Sequence, residues 1–295
     1  MIRILLVLLA IAGLPGAAQA GLTSGTLRHD GMDRSFRLYV PDGLSRFPGQ
    51  RPLVLVLHGG GGSSREVRYA TRGRFDALAE ENGFLVLYPD AVRRMWDTGS
   101  GEMSRGLSPR RDDHGFLAAL IAAVARDHPV DRSRVFATGV SRGGMMAYAL
   151  ACDTPGLLRA IAPVAMVLPA AEARDCAAGA PLGFLLTHGT ADPFVPYAGG
   201  AINLGRRDRD RVMSAEETMA VFAGRNGCGG AVTERTGRVE HRSLTGCAVP
   251  TGFYSVAGGG HGWPGGLKAL KGGRAGPINT DVSSPDAIWA FFSAF

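Results

Sequence analysis

VFATGVSRGGMMAYALAC, residues 135–152, decides how the rest of this chain is read. Val135 to Thr138 is an apolar run of strand length, Gly139-Val140-Ser141-Arg142-Gly143 follows at once, and Arg142 to Ala151 is a small-residue stretch that suits a helix. A strand that passes into a helix through G-x-S-x-G turns sharply and lifts its serine clear of the sheet. Glycines two before and two after it leave room for the crowded backbones. Ser141 is therefore a candidate nucleophile. The plainer alternative is an ordinary helix start with Ser141 as its N-cap.

The same alternation of strand and helix extends to both sides. Leu53 to Leu57 is a continuous β-rich run halted by His58 and four glycines, Arg72 to Asn82 suits a helix stopped by Gly83, and Phe84 to Tyr88 reads as a buried strand. Residues 89–112 read as loop, with Trp96 among Gly, Ser and Arg. Asp113 to Asp127 is apolar at 116, 117, 120, 121 and 124, a helix that ends near His128-Pro129. Further strands are expected at Ala160 to Ala165, Phe184 to Thr187 and Gly252 to Val256, and further helices at Ser214 to Asn226 and Pro285 to Phe292. The pattern predicts an α/β fold, a mostly parallel sheet with helices on both faces. Ahead of it, Gly25 to Arg28 and Ser35 to Val40 flank His29-Asp30-Gly31, which predicts an antiparallel hairpin at the N-terminus.

A hydroxyl reacts only when a base and an oxyanion site surround it. The backbone N–H of Arg142 is one expected oxyanion donor, and the loop LHGGGGSS at 57–64 supplies the other, Gly60 first and Gly61 next. A nucleophile on such an elbow is followed in chain order by an acid and a histidine. Of the seven histidines, His29, His58 and His128 fall in a turn, at a strand end before the serine and at a helix end, and His188 precedes the best acid. His261 lies in GGGHGWPGG, a loop beyond the last expected strand, and is the candidate general base. Asp192, just past a strand end in LLTHGTADPFVPY, is the candidate acid that orients it; Asp90 and Asp175 are weaker.

Composition narrows the classes. The chain has 295 residues, 45% hydrophobic and 20% charged, which excludes disorder for most of it and allows one large core. Its formal charge is +6, but the arginines are scattered, and the densest run, Arg206 to Arg211, is interleaved with Asp208 and Asp210. That pattern argues against a nucleic-acid partner. Arg3, the apolar run Ile4 to Ile11, the break at Leu14-Pro15-Gly16 and the small-x-small site Ala18-Gln19-Ala20 read as a signal peptide over residues 1–20. A single domain over 21–295, secreted or periplasmic and free of the membrane after cleavage, is expected to follow. Cys152, Cys176, Cys228 and Cys247 are an even set in an exported chain, with three pairings open, and none has metal-ligand spacing.

VFATGVSRGGMMAYALAC, THGTADPFVPY and GGGHGWPG, with LVLVLHGGGG ahead of them, resemble secreted α/β-hydrolase esterases of the polyhydroxybutyrate depolymerase-like family, relatives of microbial feruloyl esterases. The resemblance covers essentially residues 25–295. It implies an α/β-hydrolase domain, a triad of Ser141, Asp192 and His261, no cofactor or metal, and two local disulfides, Cys152 with Cys176 and Cys228 with Cys247. The chain departs from its relatives at His114 in RDDHGF, at Arg142 in the elbow and through the loop 91–112, all around the expected mouth. Trp96, His114 and Trp263 are therefore candidate substrate-binding residues, within a wider aromatic set that includes Phe194 and Tyr197.

The expected activity is hydrolysis of small or polymeric carboxylic esters, of feruloyl or hydroxyalkanoate type, through an acyl-enzyme on Ser141. A serine peptidase on the same fold and a non-catalytic exported binding module are the rivals.

Overall fold

A computed structural model of the chain describes residues 20–99, 101–107, 110–203, 210–267 and 274–295. The expected signal peptide lies outside the described residues except for Ala20, as does most of the arginine-rich run 206–211.

The strands are β1 (Gly21–His29), β2 (Met32–Val40), β3 (Arg51–Leu57), β4 (Leu85–Pro89), β5 (Val130–Val140), β6 (Ala160–Val164), β7 (Gly183–Gly189), β8 (Gly200–Ala201), β9 (Arg211–Val212), β10 (Gly230–Thr236), β11 (Val239–Thr245) and β12 (Thr251–Val256). The helices are α1 (Ser64–Ala70), α2 (Arg74–Asn82), α3 (Gly101–Arg105), α4 (Asp113–Asp127), α5 (Arg142–Asp153), α6 (Ala173–Ala178), α7 (Ala215–Asn226) and α8 (Ser284–Phe292). Ten strands form one sheet in the order β1-β2-β4-β3-β5-β6-β7-β12-β11-β10, and β8 and β9 pair apart from it. Strands β4, β3, β5, β6, β7 and β12 run parallel, with antiparallel ribbons at both edges.

The period of two along a strand builds two cores. In β3, Leu53, Leu55 and Leu57 face one side, where they pack with Phe116, Leu117, Leu120, Ile121 and Val124 of α4 and with helices α5 and α7. Val54 and Val56 face the other side and pack with α1, α2 and α8, where Phe84 and Trp289 stack. A fully buried Leu or Val contributes roughly 1.5–3 kcal/mol, so strands apolar on both faces commit themselves to the middle of the sheet.

The N-terminal hairpin forms as expected, in the register His29 opposite Met32, with Asp30 and Gly31 at φ 47° and 72°. Several elements go beyond the sequence reading: β5 begins at Val130, α1 precedes α2, and β10–β11 adds an edge hairpin. Both local disulfides are present. Cys152–Cys176 ties α5 to α6, and Cys228–Cys247 ties the end of α7 to the end of β11, at Cα–Cα distances of 4.7 and 4.0 Å.

The chain leaves β3 for β4 on one side, then crosses back to β5 on the other. Strand order therefore reverses between β3 and β5, the position at which α/β sheets hold ligands beyond their carboxyl ends.

Candidate active site

The end of β5 meets the start of α5 at Ser141, whose φ of 56° and ψ of −122° lie outside the ordinary regions for a residue with a side chain. The strain is held from both directions. The Ser141 N–H donates to the Val164 carbonyl of β6 at 2.9 Å, and its carbonyl accepts the first helical bond from Met145 at 3.0 Å. Its side chain does not cap the helix, so the hydroxyl is not consumed as an N-cap. The flanking glycines are steric necessities: a Cβ at Gly139 would meet the Gly143 carbonyl carbon at 2.5 Å, and one at Gly143 would overlap the Leu57 carbonyl oxygen.

That close approach brings the end of β3 against the elbow. A Cβ at Gly59 would touch the Ser141 Cβ at 3.6 Å, and one at Gly60 would stand 3.8 Å from the Arg142 Cβ. Gly61 and Gly62 spend their N–H groups within the loops, on the Arg94 and Gly59 carbonyls at 2.8 and 2.9 Å. Of the two donors weighed from sequence, Gly61 therefore has its N–H already engaged. His58 braces the loop from below. Its Nε2 accepts the Ala91 N–H at 3.0 Å, so Nδ1 carries the proton and donates to the Gly59 carbonyl at 2.8 Å. Burial holds its ring below the usual histidine range, the Gly59 bond offsetting part of that.

Asp192 follows β7 and His261 follows β12, at the same sheet edge as Ser141. One carboxylate oxygen, Oδ1, accepts the Phe194 and Val195 N–H groups at 2.9 Å each, an Asx turn closed by the Asp-Pro-Phe-Val run. The other, Oδ2, lies 2.7 Å from His261 Nδ1. A carboxylate only accepts, so Nδ1 donates and Nε2 is left with its lone pair. Burial pushes the Asp192 carboxyl up, but the bond and charge of His261 and the Val195 N–H outweigh it and keep the group below the usual carboxylate range. The three residues are nearly enclosed, with 8%, 9% and 7% of Ser141, Asp192 and His261 exposed. Phe194 meets the His261 ring edge-on at 5.2 Å.

The candidate substrate-binding residues are a correction. Trp96 is fully buried, donates from Nε1 to the His58 carbonyl at 2.9 Å and packs on the His58 ring. It supports the glycine loop rather than facing a ligand. Trp263 is also buried and packs edge-on to Phe75 in the core beside α2. His114 sits 3.4 Å from Asp153, the last residue of α5. That is a full helix of 12 residues, about 18 Å, from Ser141. Of the aromatic set, Phe194 borders the His261 ring, while Tyr197 stacks over His188 and pairs its hydroxyl with Ser255. Asp90 caps α1 through Ser64, and Asp175 pairs with Arg174 at the surface.

Arg142 fills the mouth differently from a small residue. Its buried side chain donates from Nε to the Trp96 carbonyl at 2.6 Å and from Nη2 to Ser104 Oγ at 3.3 Å, stitching the 96–104 segment to the elbow. Met95 joins the site unannounced, its Sδ 3.5 Å from where a Gly60 Cβ would stand. Among the described residues no group of three or more His, Cys, Asp or Glu is placed to hold a metal ion.

The chain is similar to known proteins over most of its length. The family model described as Esterase PHB depolymerase matches residues 34–178, which include the glycine loop and the elbow. The chain is 30% identical to a protein of Aspergillus terreus named "Probable feruloyl esterase C", across 93% of this chain and 88% of that one. It is 29% identical to feruloyl esterase C of Emericella nidulans, across 96% and 92%. Its fold matches that of an acetyl xylan esterase from Aspergillus awamori with a TM-score of 0.59 and 17% identity, over 92% of this chain and 99% of that one. The sheet is that of an α/β-hydrolase, and the alignment runs nearly end to end through enzymes that cleave esters; the chain is an esterase and belongs to the Esterase PHB depolymerase family.

Proposed function

We propose that the chain is an exported serine carboxylic ester hydrolase that works through an acyl-enzyme on feruloyl-type or hydroxyalkanoate-type esters. Ser141 Oγ attacks the ester carbonyl while His261 Nε2 takes its proton, and Asp192 holds the ring in that tautomer and stabilises the imidazolium. The Arg142 and Gly60 N–H groups receive the oxyanion. Collapse breaks the C–O bond to the alcohol, which leaves with the proton from His261. Water, deprotonated by the same nitrogen, then cleaves the acyl–serine ester, releasing the acid and restoring the hydroxyl.

The observation that carries this reading is the 2.7 Å bond between His261 Nδ1 and Asp192 Oδ2 at the sheet edge where the strained Ser141 elbow stands. The acyl class rests on the named relatives and the family description, with Phe194 offering an apolar face beside the base. Export rests on the leader-like residues 1–20 and on two disulfides that an oxidising compartment preserves, with one catalytic domain over 21–295. No helix among the described residues is long and apolar enough to cross a membrane. A fluorophosphonate probe tests the reading: it should label wild-type protein at Ser141 and leave the folded Ser141→Ala variant unlabelled. Equal labelling of both would overturn it.

A further inference from the structure

His188 is a buried histidine that the hydrolytic steps do not use. It is 1% exposed, at the end of β7 four residues before Asp192. Its Nε2 lies 3.0 Å from the Val195 carbonyl, so the proton is on Nε2 and donates to it. The N–H of the same Val195 donates to Asp192 Oδ1 at 2.9 Å, and the other oxygen of Asp192 holds His261. His188 and His261 are thus joined through one residue and one carboxylate. Nδ1 of His188 has no hydrogen-bond partner among the described residues, and the ring borders a small cavity shared with Thr187, Gly189, Gly260 and Asn279.

We propose that His188 is a positioning residue that, as a neutral imidazole protonated on Nε2, fixes the 192–195 turn and so aims the Asp192 carboxylate at the catalytic base. The inference rests on the proposed roles of Ser141, Asp192 and His261 and adds a fourth member to that set. The groups that face the ring are Asp192, His261 and the Tyr197 ring, whose hydroxyl is engaged by Ser255 and Glu216. Neutrality matters because a second cation here would oppose the charge that His261 acquires during attack. Burial favours the neutral form, lowering the ring below the usual histidine range.

The test compares His188→Phe, which removes the donor, with His188→Gln, whose amide nitrogen can occupy the Nε2 position. His188→Phe should lower kcat by up to roughly 100-fold with KM little changed. The acid limb of kcat/KM should move to lower pH, because a badly aimed carboxylate stabilises the imidazolium less. His188→Gln should restore both. A His188→Phe enzyme with wild-type kcat and acid limb, or equal impairment in both variants, would overturn the proposal. Should His188→Phe fail to fold, nitrogen-15 NMR of the wild-type ring decides: a proton on Nε2 and none on Nδ1 is expected, and the opposite tautomer overturns it. In a Ser141→Ala background the Nδ1 proton resonance of His261, which reports its bond to Asp192, follows the same effect without turnover. Failure here therefore stays separable from failure of the esterase mechanism, which would show as Ser141→Ala retaining hydrolysis.

Discussion

Gly61 gives its backbone N–H to the Arg94 carbonyl at 2.8 Å, a bond that spends this N–H within the loop. With Gly61 committed to the 92–95 turn, Gly60 is the oxyanion donor in the proposed mechanism. Gly60→Pro, which deletes that N–H, should lower kcat about 10²–10³-fold with little change in KM. Gly60→Ala places its Cβ 3.5 Å from Met95 Sδ, an ordinary contact, and should keep near-wild-type turnover. Steady-state kinetics of the pair on one soluble ester checks the assignment.

Arg34 of β2 and Asp113 at the start of α4 form a buried pair at 2.5 Å, with side chains 1% and 0% exposed. Asp113 also accepts the Asp97 N–H at 2.6 Å, so the pair anchors Asp97, next to the Trp96 carbonyl that Arg142 binds. Arg34→Met leaves a buried carboxylate without its partner and should cost about 3–5 kcal/mol, read as a lower denaturation midpoint.

Acid should weaken the fold before it disarms the carboxylates. Burial holds His58 and His188 below the usual histidine range, so an unfolded chain binds protons there that the folded chain refuses. Stability is therefore full above about pH 6.5 and falls as pH drops towards the depressed values, each histidine adding a slope of up to about 1.4 kcal/mol per pH unit. Asp192 acts in the same sense at lower pH: its contribution is present above the usual carboxylate range and lost as pH falls through its depressed folded value. Urea titrations between pH 8 and pH 5, run at about half-unit steps, should show the loss, and a flat profile would contradict it.

The bond between Cys152 and Cys176 closes a separation of 24 residues. Replacing both by alanine should destabilise the chain by about 3 kcal/mol while leaving kcat of the folded fraction unchanged, because the cross-link acts on the unfolded ensemble. Thermal melts beside active-site titration separate the two effects.

The elbow, both halves of the hairpin and the central strands were legible because each is set by a local rule: apolar runs for β3 and β4, Asp-Gly for the turn at 30–31, and glycines where backbones touch at 139 and 143. The chain order of acid and base named Asp192 and His261, which the fold then joins by a hydrogen bond. The edge hairpin was not legible, since β10, GAVTERT, is exposed at every residue and carries no burial period; it forms by pairing with β11. Helix α1 was overlooked although Ser63 and Glu66 hold the spacing of a capping box. The burial of Trp96 and Trp263 is not legible in the sequence, where both stand in glycine-rich loops. Here the loops fold inward, one beneath the Arg142 side chain and one against α2. His188 is set aside as a base in the sequence because it precedes the acid, and its bond to the Val195 carbonyl, seven residues away, is visible only in the fold.

The most direct measurement is the turnover of a short p-nitrophenyl ester by Ser141→Ala, by His261→Ala and by the double variant, each shown to be folded. If the serine and the imidazole act as one unit, each single change lowers kcat by about 10⁶-fold and the double variant is no slower than either. Near-wild-type hydrolysis by Ser141→Ala, or losses that multiply in the double variant, would contradict that unit.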